Sequence, residues 1–519
     1  MNEASVYDVA VVGLGPAGAF ASALLGQAGL KVYACDKLEG VYGIPRAIAL
    51  DHEIMRVFQQ LGMLDAVAPH CEPFTPSEYF GVDGKLIRRM TMVAPPYPQG
   101  HTPSIVFSQP PVERALRARI AEMPNVDVAL GAEVLAVEQD AHAASLRVRT
   151  SDGGTQVIKA KFVIACDGGS SRVRSLLDMP LDDLGFDEPW LVVDVLLNDA
   201  GLAKLPKVSM QYCEPQRPCT LVIGPKNHRR WEISLKPGED AAQAATPEGT
   251  WRLLSRWITP EDGQLWRQAS YRFHALVASR WREGRVFLAG DAAHMQPPFL
   301  GQGMCQGVRD VANLSWKLAS VLDGSVKGAA AQDLLDSYGI ERKAHVRELT
   351  SRIKAIGAVI CERDSAKARE RDAQMLADCG GVVKDTPRQD ILPKLEAGFM
   401  SSHAHAARGS LFPQPRLMDT AGRPQLMDEK FGHGWRLVTC ANAEAGKRLP
   451  PAITLVDLAQ TPEADGVVAQ WMAKFECEAA LVRPDNYVFG AASGAGEISA
   501  LLDEWQQRMA PAAQLEETN

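Results

Sequence analysis

The spacing of hydrophobic and polar positions changes period several times along the chain. Residues 6–12, Val-Tyr-Asp-Val-Ala-Val-Val, form a β-branched apolar run, the pattern of a strand buried on both faces. Gly13-Leu14-Gly15-Pro16-Ala17-Gly18 follows, then an Ala/Leu-rich stretch that predicts a helix stopped by Gly29. Residues 30–34 start a second strand, which ends at Cys35-Asp36-Lys37 and completes a βαβ unit. Two distant apolar runs also end in turns. Residues 161–166 enter Asp167-Gly168-Gly169-Ser170-Ser171, and residues 285–289 enter Gly290-Asp291-Ala292-Ala293-His294. A helix expected from about Gln302 carries Val308, Val311, Ala312, Leu318, Ala319 and Leu322 on one face and ends at Asp323-Gly324.

Between those two turns, over 180–280, the period shortens to alternation, as at 190–197, 219–223 and 230–235, which predicts an antiparallel insert. Residues 329–377 read as helical and charge-laced, a solvated linker or a packing helix pair. Residues 400–430 are rich in Gly, Pro and Ser and read as a linker. A small α/β tail follows, with strands near 435–440, 452–457, 478–483 and 487–491 and a last helix at 497–509.

Length and composition narrow the class. At about 150 residues per domain, 519 residues predict three domains, or two and a tail. The chain is 46% hydrophobic and 23% charged, which excludes disorder and fibrous repeats. Net charge is −8, from 55 basic and 63 acidic residues, and the basic ones are scattered, so no nucleic-acid partner is expected. Ten cysteines without a C-x-x-C pair point to a reducing cytoplasm. Residues 9–30 carry no charge and are long enough to span a bilayer, but Gly13, Gly15, Pro16, Gly18, Gly26 and Gly29 interrupt them and Asp8 precedes them. Neither a membrane span nor a signal peptide is expected.

The first glycine turn has the form of a dinucleotide fingerprint. Gly13 permits the tight turn, Gly15 lets a pyrophosphate approach the backbone, and Gly18 lets the helix sit close to the strand. Asp36, eighteen residues after Gly18, ends the second strand, where a carboxylate can accept hydrogen bonds from ribose hydroxyls. The other positions are ambiguous by themselves. Asp291 could be a helix N-cap, Asp167-Gly168 a plain turn, Arg46 a surface ion pair and Gln109 a loop amide.

Together, Gly13-x-Gly15-x-x-Gly18, Cys166-Asp167-Gly168 with Ser171 and Arg174, and Gly290-Asp291-Ala292-Ala293-His294 resemble the single-component FAD-dependent aromatic hydroxylases, the para-hydroxybenzoate hydroxylase group. Three stretches resemble the 3-(3-hydroxyphenyl)propionate hydroxylases more narrowly. They are Asp187-Glu188-Pro189-Trp190-Leu191-Val192-Val193-Asp194-Val195, Arg229-Arg230-Trp231-Glu232, and Pro297-Pro298-Phe299-Leu300-Gly301-Gln302-Gly303-Met304. The likeness runs to about residue 345, and in the linker it rests on Leu411-Phe412-Pro413-Gln414-Pro415.

The resemblance implies an α/β fold: a Rossmann-like FAD-binding domain, an antiparallel-sheet substrate domain and a C-terminal thioredoxin-like domain without C-x-x-C. The expected boundaries are 1–180 for the first part of the FAD domain, with a substrate-domain segment interleaved near 75–107. The substrate domain is expected at 181–280, the rest of the FAD domain with a helical linker at 281–400, and the tail at 401–519. The resemblance assigns Gly13, Gly15, Pro16, Ala17 and Gly18 to the FAD pyrophosphate and Asp36 with Lys37 to its ribose. Asp replaces the family's usual Glu at 36, shorter by one methylene but still an acceptor. Arg46 and Gln109 would contact the flavin side and Val134 the adenine through its backbone. Asp291, with Gly290 beside it, would hold the ribityl or pyrophosphate region, Asp167 would serve both FAD and nicotinamide binding, and Gly301, Gly303 and Met304 would serve the flavin ring.

It further implies a monooxygenase that uses NAD(P)H and O2 to hydroxylate a phenolic acid ortho to its hydroxyl, 3-(3-hydroxyphenyl)propionate or 3-hydroxycinnamate, with NADH or NADPH visiting transiently and no metal. A phenol must share or lose its proton to become reactive. His294 is one candidate for that role and a loop-ordering histidine is the other reading of it. The Pro298 carbonyl would face the substrate. Gln211, Tyr212, Arg217 and His52 are expected to line the pocket, with His274 a weaker choice and Arg217 the cation for a charged tail. Two alternatives stand beside this: a relative acting on another phenol, a resorcinol or a polyketide-type polycycle, and a non-catalytic binding protein of the same fold. Oligomeric state is open, a homodimer included.

Overall fold

In the computed structural model, which describes residues 6–419, 421–440 and 449–509, strand Tyr7–Val12 lies at the centre of a parallel sheet. Val32–Asp36 and Thr155–Ala165 flank it, and Val126–Leu130 and Val286–Leu288 extend the sheet on either side, all parallel. Val9, Ala10 and Val11 are fully buried, as an apolar β-branched run covered on both faces requires. Helices Pro16–Gln27 and Gly303–Leu322 pack against each other across it. This topology places the site. Strands 7–12, 155–165 and 286–288 are parallel neighbours, so the turns that follow them emerge side by side at one carboxyl edge, where open α/β sheets bind ligands.

The second sheet has nine strands and is mixed rather than antiparallel throughout. Leu181–Leu197 and Gly263–Ala278 form its long antiparallel spine, with His228–Ser234, Cys219–Ile223 and Ser209–Tyr212 alongside. Ser209–Tyr212 pairs in parallel with Ser77–Phe80, and Lys384–Pro387 in parallel with Leu86–Thr91. The sheet therefore recruits strands from outside the 180–280 insert, while Ser104–Phe107 belongs to a separate three-stranded sheet. At its far edge, His294–Met295 pairs with Leu276 and Val277 and joins the two sheets covalently.

The charge-laced stretch at 329–377 divides in two. Helix Gly328–Cys361 buries Leu334, Leu335, Tyr338, Val346, Leu349, Ile353, Ile356 and Ile360 at helical spacing, and its charges Glu341 and Arg342 are buried in pairs with Arg483 and Asp310. Helix Ser365–Ala377 buries only Ala368 and is solvated. The expected linker at 400–430 is packed, with Phe412, Leu417 and Met427 fully buried.

The tail has the thioredoxin-like strand order Ile453–Asp457, Trp435–Thr439, Ala479–Val482, Val488–Ala492, the first pair parallel and the rest antiparallel. Helices Val467–Phe475 and Ala495–Met509 complete it, while positions 441–448 and 510–519 of the expected 401–519 unit lie outside the described residues. Arg56 of the first domain reaches Asp428, which also takes Arg436, in a fully buried cluster. Among the described residues, no helix is long and apolar enough to cross a membrane.

Candidate active site

Gly13 has φ +90°, and a Cβ there would lie 2.5 Å from the Cys166 carbonyl oxygen, so the first turn packs directly on the second. Arg174 ties the second turn to the third, donating to the Gly169 carbonyl at 2.8 Å and to the Ala292 carbonyl at 2.9 Å. The third turn closes on the first, because a Cβ on Gly290 would come within 3.0 Å of Ala17. Gly15 is different. Its backbone is extended, and a Cβ would find only an Arg46 guanidinium nitrogen, at 3.8 Å.

That open cradle lies at the start of helix Pro16–Gln27, which has no side-chain cap, and helix Gly303–Leu322 also begins uncapped. Both leave backbone N–H groups and the positive end of a helix dipole free for an anion or an electron-rich ring edge. Asp291 is solvent-accessible with no hydrogen-bond partner among the described residues, and Arg46 and His294 are near enough to act on its charge. Unused donors, an unused acceptor and a cradle without side chains fit a dinucleotide.

The surrounding residues hold this arrangement. Asp36 accepts from Leu14 N–H at 2.7 Å and Leu38 N–H at 2.8 Å, locking the glycine turn to the end of the second strand, with Lys37 exposed beside it. The Ala132 N–H donates to the Asp36 carbonyl, which brings buried Val134 to the same end of the sheet. Gln109 uses its amide oxygen to take the Arg46 and Ala47 N–H groups at 2.8 and 2.7 Å, so it positions the Arg46 loop. Pro16, Gln109 and Met304 line one narrow recess. Asp167 caps helix Arg172–Leu176 through the Arg172 and Val173 N–H groups, while its backbone abuts Gly13. Gly301 has φ +61° and donates to the Pro298 carbonyl at 2.7 Å, so the carbonyl expected to face substrate is engaged within its own loop.

His294 is 1% exposed, stacks on Trp281, and pairs with Asp310 at 2.7 Å. Asp310 also binds the Gly290 N–H at 2.9 Å and Arg342 at 2.9 Å. This geometry matches the loop-ordering reading of His294 rather than that of a base facing a ligand.

The expected pocket residues separate onto different surfaces. Successive side chains on a strand point to opposite faces. Gln211 lies on the face turned to the nucleotide domain, in the register of Thr220, Glu232 and Val192, and Thr220 donates to its amide oxygen at 2.6 Å. Tyr212 must then face away, and it does, accepting from Trp257 Nε1 in the core beyond the sheet. Arg217 is held by Glu239 through two hydrogen bonds and is not free for a ligand. His52 sits among Asp51, Arg56 and Arg309, and burial chiefly lowers it to about 4. His274 lies beside Asp187, near the surface.

Two residues at this face carried no sequence-based assignment. Glu232 is 6% exposed and has no hydrogen-bond or ion-pair partner among the described residues. Arg388 is also buried. It donates to the Leu300 carbonyl at 2.7 Å and lies over the Phe74 ring, with no carboxylate partner among the described residues. The sequence signal for the first was its place between apolar Trp231 and Ile233, in alternation with polar His228 and Arg230; for Arg388 there was none.

A nucleotide-type parallel sheet whose three edge turns form one cradle, roofed by a large second sheet, is the architecture of a dinucleotide-binding enzyme. A family profile described as "FAD binding domain" matches residues 6–353. The chain is 36% identical over 97% of its length to a "Probable NADH-specific resorcinol 4-hydroxylase" of Rhodococcus jostii (strain RHA1), covering 95% of that protein. It is 33% identical over 85% of its length to a 3-(3-hydroxy-phenyl)propionate/3-hydroxycinnamic acid hydroxylase of Mycolicibacterium gilvum (strain PYR-GCK), covering 77% of it. The fold matches aklavinone-11 hydroxylase, solved with FAD and aklavinone, with a TM-score of 0.80 at 22% identity over 98% of this chain and 100% of that one. The chain belongs to the FAD-dependent aromatic hydroxylases.

Proposed function

We propose that this enzyme uses NADH or NADPH and O2 to hydroxylate a meta-substituted phenol bearing a carboxylate, 3-(3-hydroxyphenyl)propionate or 3-hydroxycinnamate, ortho to its hydroxyl. The overall reaction consumes the phenol, one NAD(P)H, one proton and O2, and yields the catechol-type product, NAD(P)⁺ and water. The observation that carries this reading is the single cradle in which two uncapped helix starts, open Gly15 and unpartnered Asp291 meet. FAD held there would supply the redox chemistry, two-electron exchange with a nicotinamide and activation of O2.

The chain's own residues do the rest. The backbone N–H groups of Gly15, Ala17 and Gly18 would hold the diphosphate, Asp36 the ribose, and Arg46 and Asp291 the middle of the cofactor. The backbone N–H groups of Gly303 and Met304 would serve the ring system. Arg230 and Arg267 fix the Pro45 and Arg46 carbonyls against the second sheet, and Phe299 seals the opposite side against Trp190 and Phe186. Both contacts keep water from the reacting ring.

Arg388 supports the acid over other phenols. A buried guanidinium without an anion is costly, and a substrate carboxylate would complete it. A neutral resorcinol is the second reading. It is favoured by the amide nitrogen of Gln211 and the carboxyl of Glu232, which have no hydrogen-bond partner among the described residues, lie on one sheet face and suit two hydroxyls. The proposed setting is a reducing cytoplasm, in keeping with ten unpaired cysteines.

The test is NADH and NADPH oxidation by the holoenzyme with 3-(3-hydroxyphenyl)propionate, 3-hydroxycinnamate and resorcinol, with product and hydrogen peroxide quantified together. The acids should give product matching the nicotinamide consumed. Product only from resorcinol would install the second reading, and colourless protein without flavin would leave a binding protein.

A further inference from the structure

Strand His228–Ser234 places His228, Arg230, Glu232 and Ser234 on the face turned to the nucleotide domain, while Trp231 and Ile233 enter the core beyond the sheet. Three of these four polar side chains are committed. His228 and Arg230 each bind Asp194 at 2.7 Å, and the Ser234 hydroxyl accepts from Arg363 at 2.6 Å. Glu232 is not, although it too is buried, at 6% exposure. The nearby cations make their hydrogen bonds elsewhere. Arg230 is spent on Asp194 and on the Pro45 and Arg46 carbonyls, and Arg267 on the Pro45 carbonyl and the Tyr271 hydroxyl.

Its position is as informative as its lack of partners. Two residues toward one end, Arg230 grips the loop that carries Arg46, next to the glycine cradle. Two residues toward the other, Ser234 is in register with Trp190, whose ring packs on Phe299 at 5.6 Å, next to Pro298. Glu232 is thus bracketed by the two loops that border the cofactor recess, on the sheet face that roofs it. Thr220 and Val192, its neighbours in register, carry no charge.

We propose that Glu232 is the catalytic residue that accepts the phenolic proton of the substrate, an assignment that rests on the hydroxylase reading above. The phenol O–H bond breaks, the proton passes to a Glu232 carboxylate oxygen, and the electron pair stays on the substrate oxygen. The electron density this adds to the ring is greatest ortho and para to that oxygen, which directs the O2-derived oxygen of the overall reaction to the ortho carbon, whose C–H proton is then lost as the ring regains aromaticity. The proton leaves to solvent after product release, so the step needs no oxidant or reductant. The charges facing the carboxyl suit this work. Burial pushes it up to about 7, with Arg230 on its own strand and Arg267 on the neighbouring spine pulling down and Asp194 pushing up. His294, the histidine of the third turn, has its ring committed to Asp310.

The experiment is the pH profile of 3-(3-hydroxyphenyl)propionate hydroxylation by the holoenzyme from pH 5 to 9, with product quantified against nicotinamide consumed and flavin content measured for each preparation. The wild-type kcat should rise as Glu232 ionises, with a midpoint near 7. Glu232→Gln should keep its FAD, lose on the order of 100-fold in kcat and lose that rising limb. Glu232→Asp should recover part of both. A Glu232→Gln enzyme with the wild-type kcat and the wild-type rising limb would overturn the assignment while leaving the hydroxylase reading intact. So would a wild type whose kcat does not rise between pH 5 and 8, a readout that holds even if the variant loses flavin. A wild type that hydroxylates none of the three phenols would overturn the hydroxylase reading and this assignment with it.

Discussion

A Cβ placed on Gly18 would lie 1.8 Å from the carbonyl oxygen of Gly13, so the helix start and the turn before it touch with no room for a methyl group. The contrast with Gly15, where only Arg46 comes within 4 Å, separates packing from binding. Gly18→Ala should lower the melting temperature of the apoprotein, an overpacking cost of about 1–3 kcal/mol. Gly15→Val should melt like the wild-type apoprotein yet purify with at least about tenfold less flavin, since a 1.4 kcal/mol loss suffices for that. Melting curves with flavin absorbance per chain check both.

Arg388 should set the preference for an anionic tail. Arg388→Met keeps the apolar stem and removes the charge, so KM for 3-(3-hydroxyphenyl)propionate should rise by roughly 10- to 100-fold, the size of a lost charge-assisted hydrogen bond. KM for resorcinol should change little. Equal effects on both substrates would show Arg388 to be a packing residue.

His294 is expected to act through the loop. Glutamine at 294 breaks the buried pair with Asp310, which also holds the Gly290 N–H and Arg342. Removing one partner of such a pair costs about 3–5 kcal/mol, so stability and flavin retention should both fall. The midpoint of the rise of kcat with pH in the flavin-loaded fraction should stay at the wild-type value.

The raised carboxyl of Glu232 makes stability depend on pH in a definite direction. Its folded value of about 7 lies above the ordinary 4.5, so the folded protein binds more protons between those values. Stability from this group is complete below about 4.5 and declines as pH rises through 7, by up to about 3 kcal/mol. Glu232→Gln removes the penalty. The variant should therefore gain stability over the wild type from pH 5 to pH 8, as read by denaturant or thermal melts of substrate-free protein; a constant difference would contradict the carboxyl's burial without partners.

Much of the cradle was legible in the amino-acid sequence because it is local. The turns at Gly13–Gly18, Cys166–Gly168 and Gly290–His294 each follow an apolar run, and a parallel sheet brings such turns to one edge. The substrate face was less legible because strand alternation decides it. Gln211 and Tyr212 are adjacent in sequence and cannot share a face, so naming both as pocket residues placed one on the wrong side of the sheet. Arg388 was invisible because it belongs to neither the nucleotide strands nor the insert. It reaches the site through Lys384–Pro387, an edge strand paired with Leu86–Thr91 across nearly three hundred positions. Arg217 looked equivalent until Glu239 was seen to hold it.

The account's central claim is that this chain transfers one atom of O2 to a phenol ring. Turnover of 3-(3-hydroxyphenyl)propionate under ¹⁸O-labelled O2, with NADH in excess, measures that transfer directly. Mass spectrometry should find one heavy oxygen in the new hydroxyl of each product molecule. Product carrying only light oxygen, or nicotinamide consumed with all O2 recovered as peroxide, would contradict it.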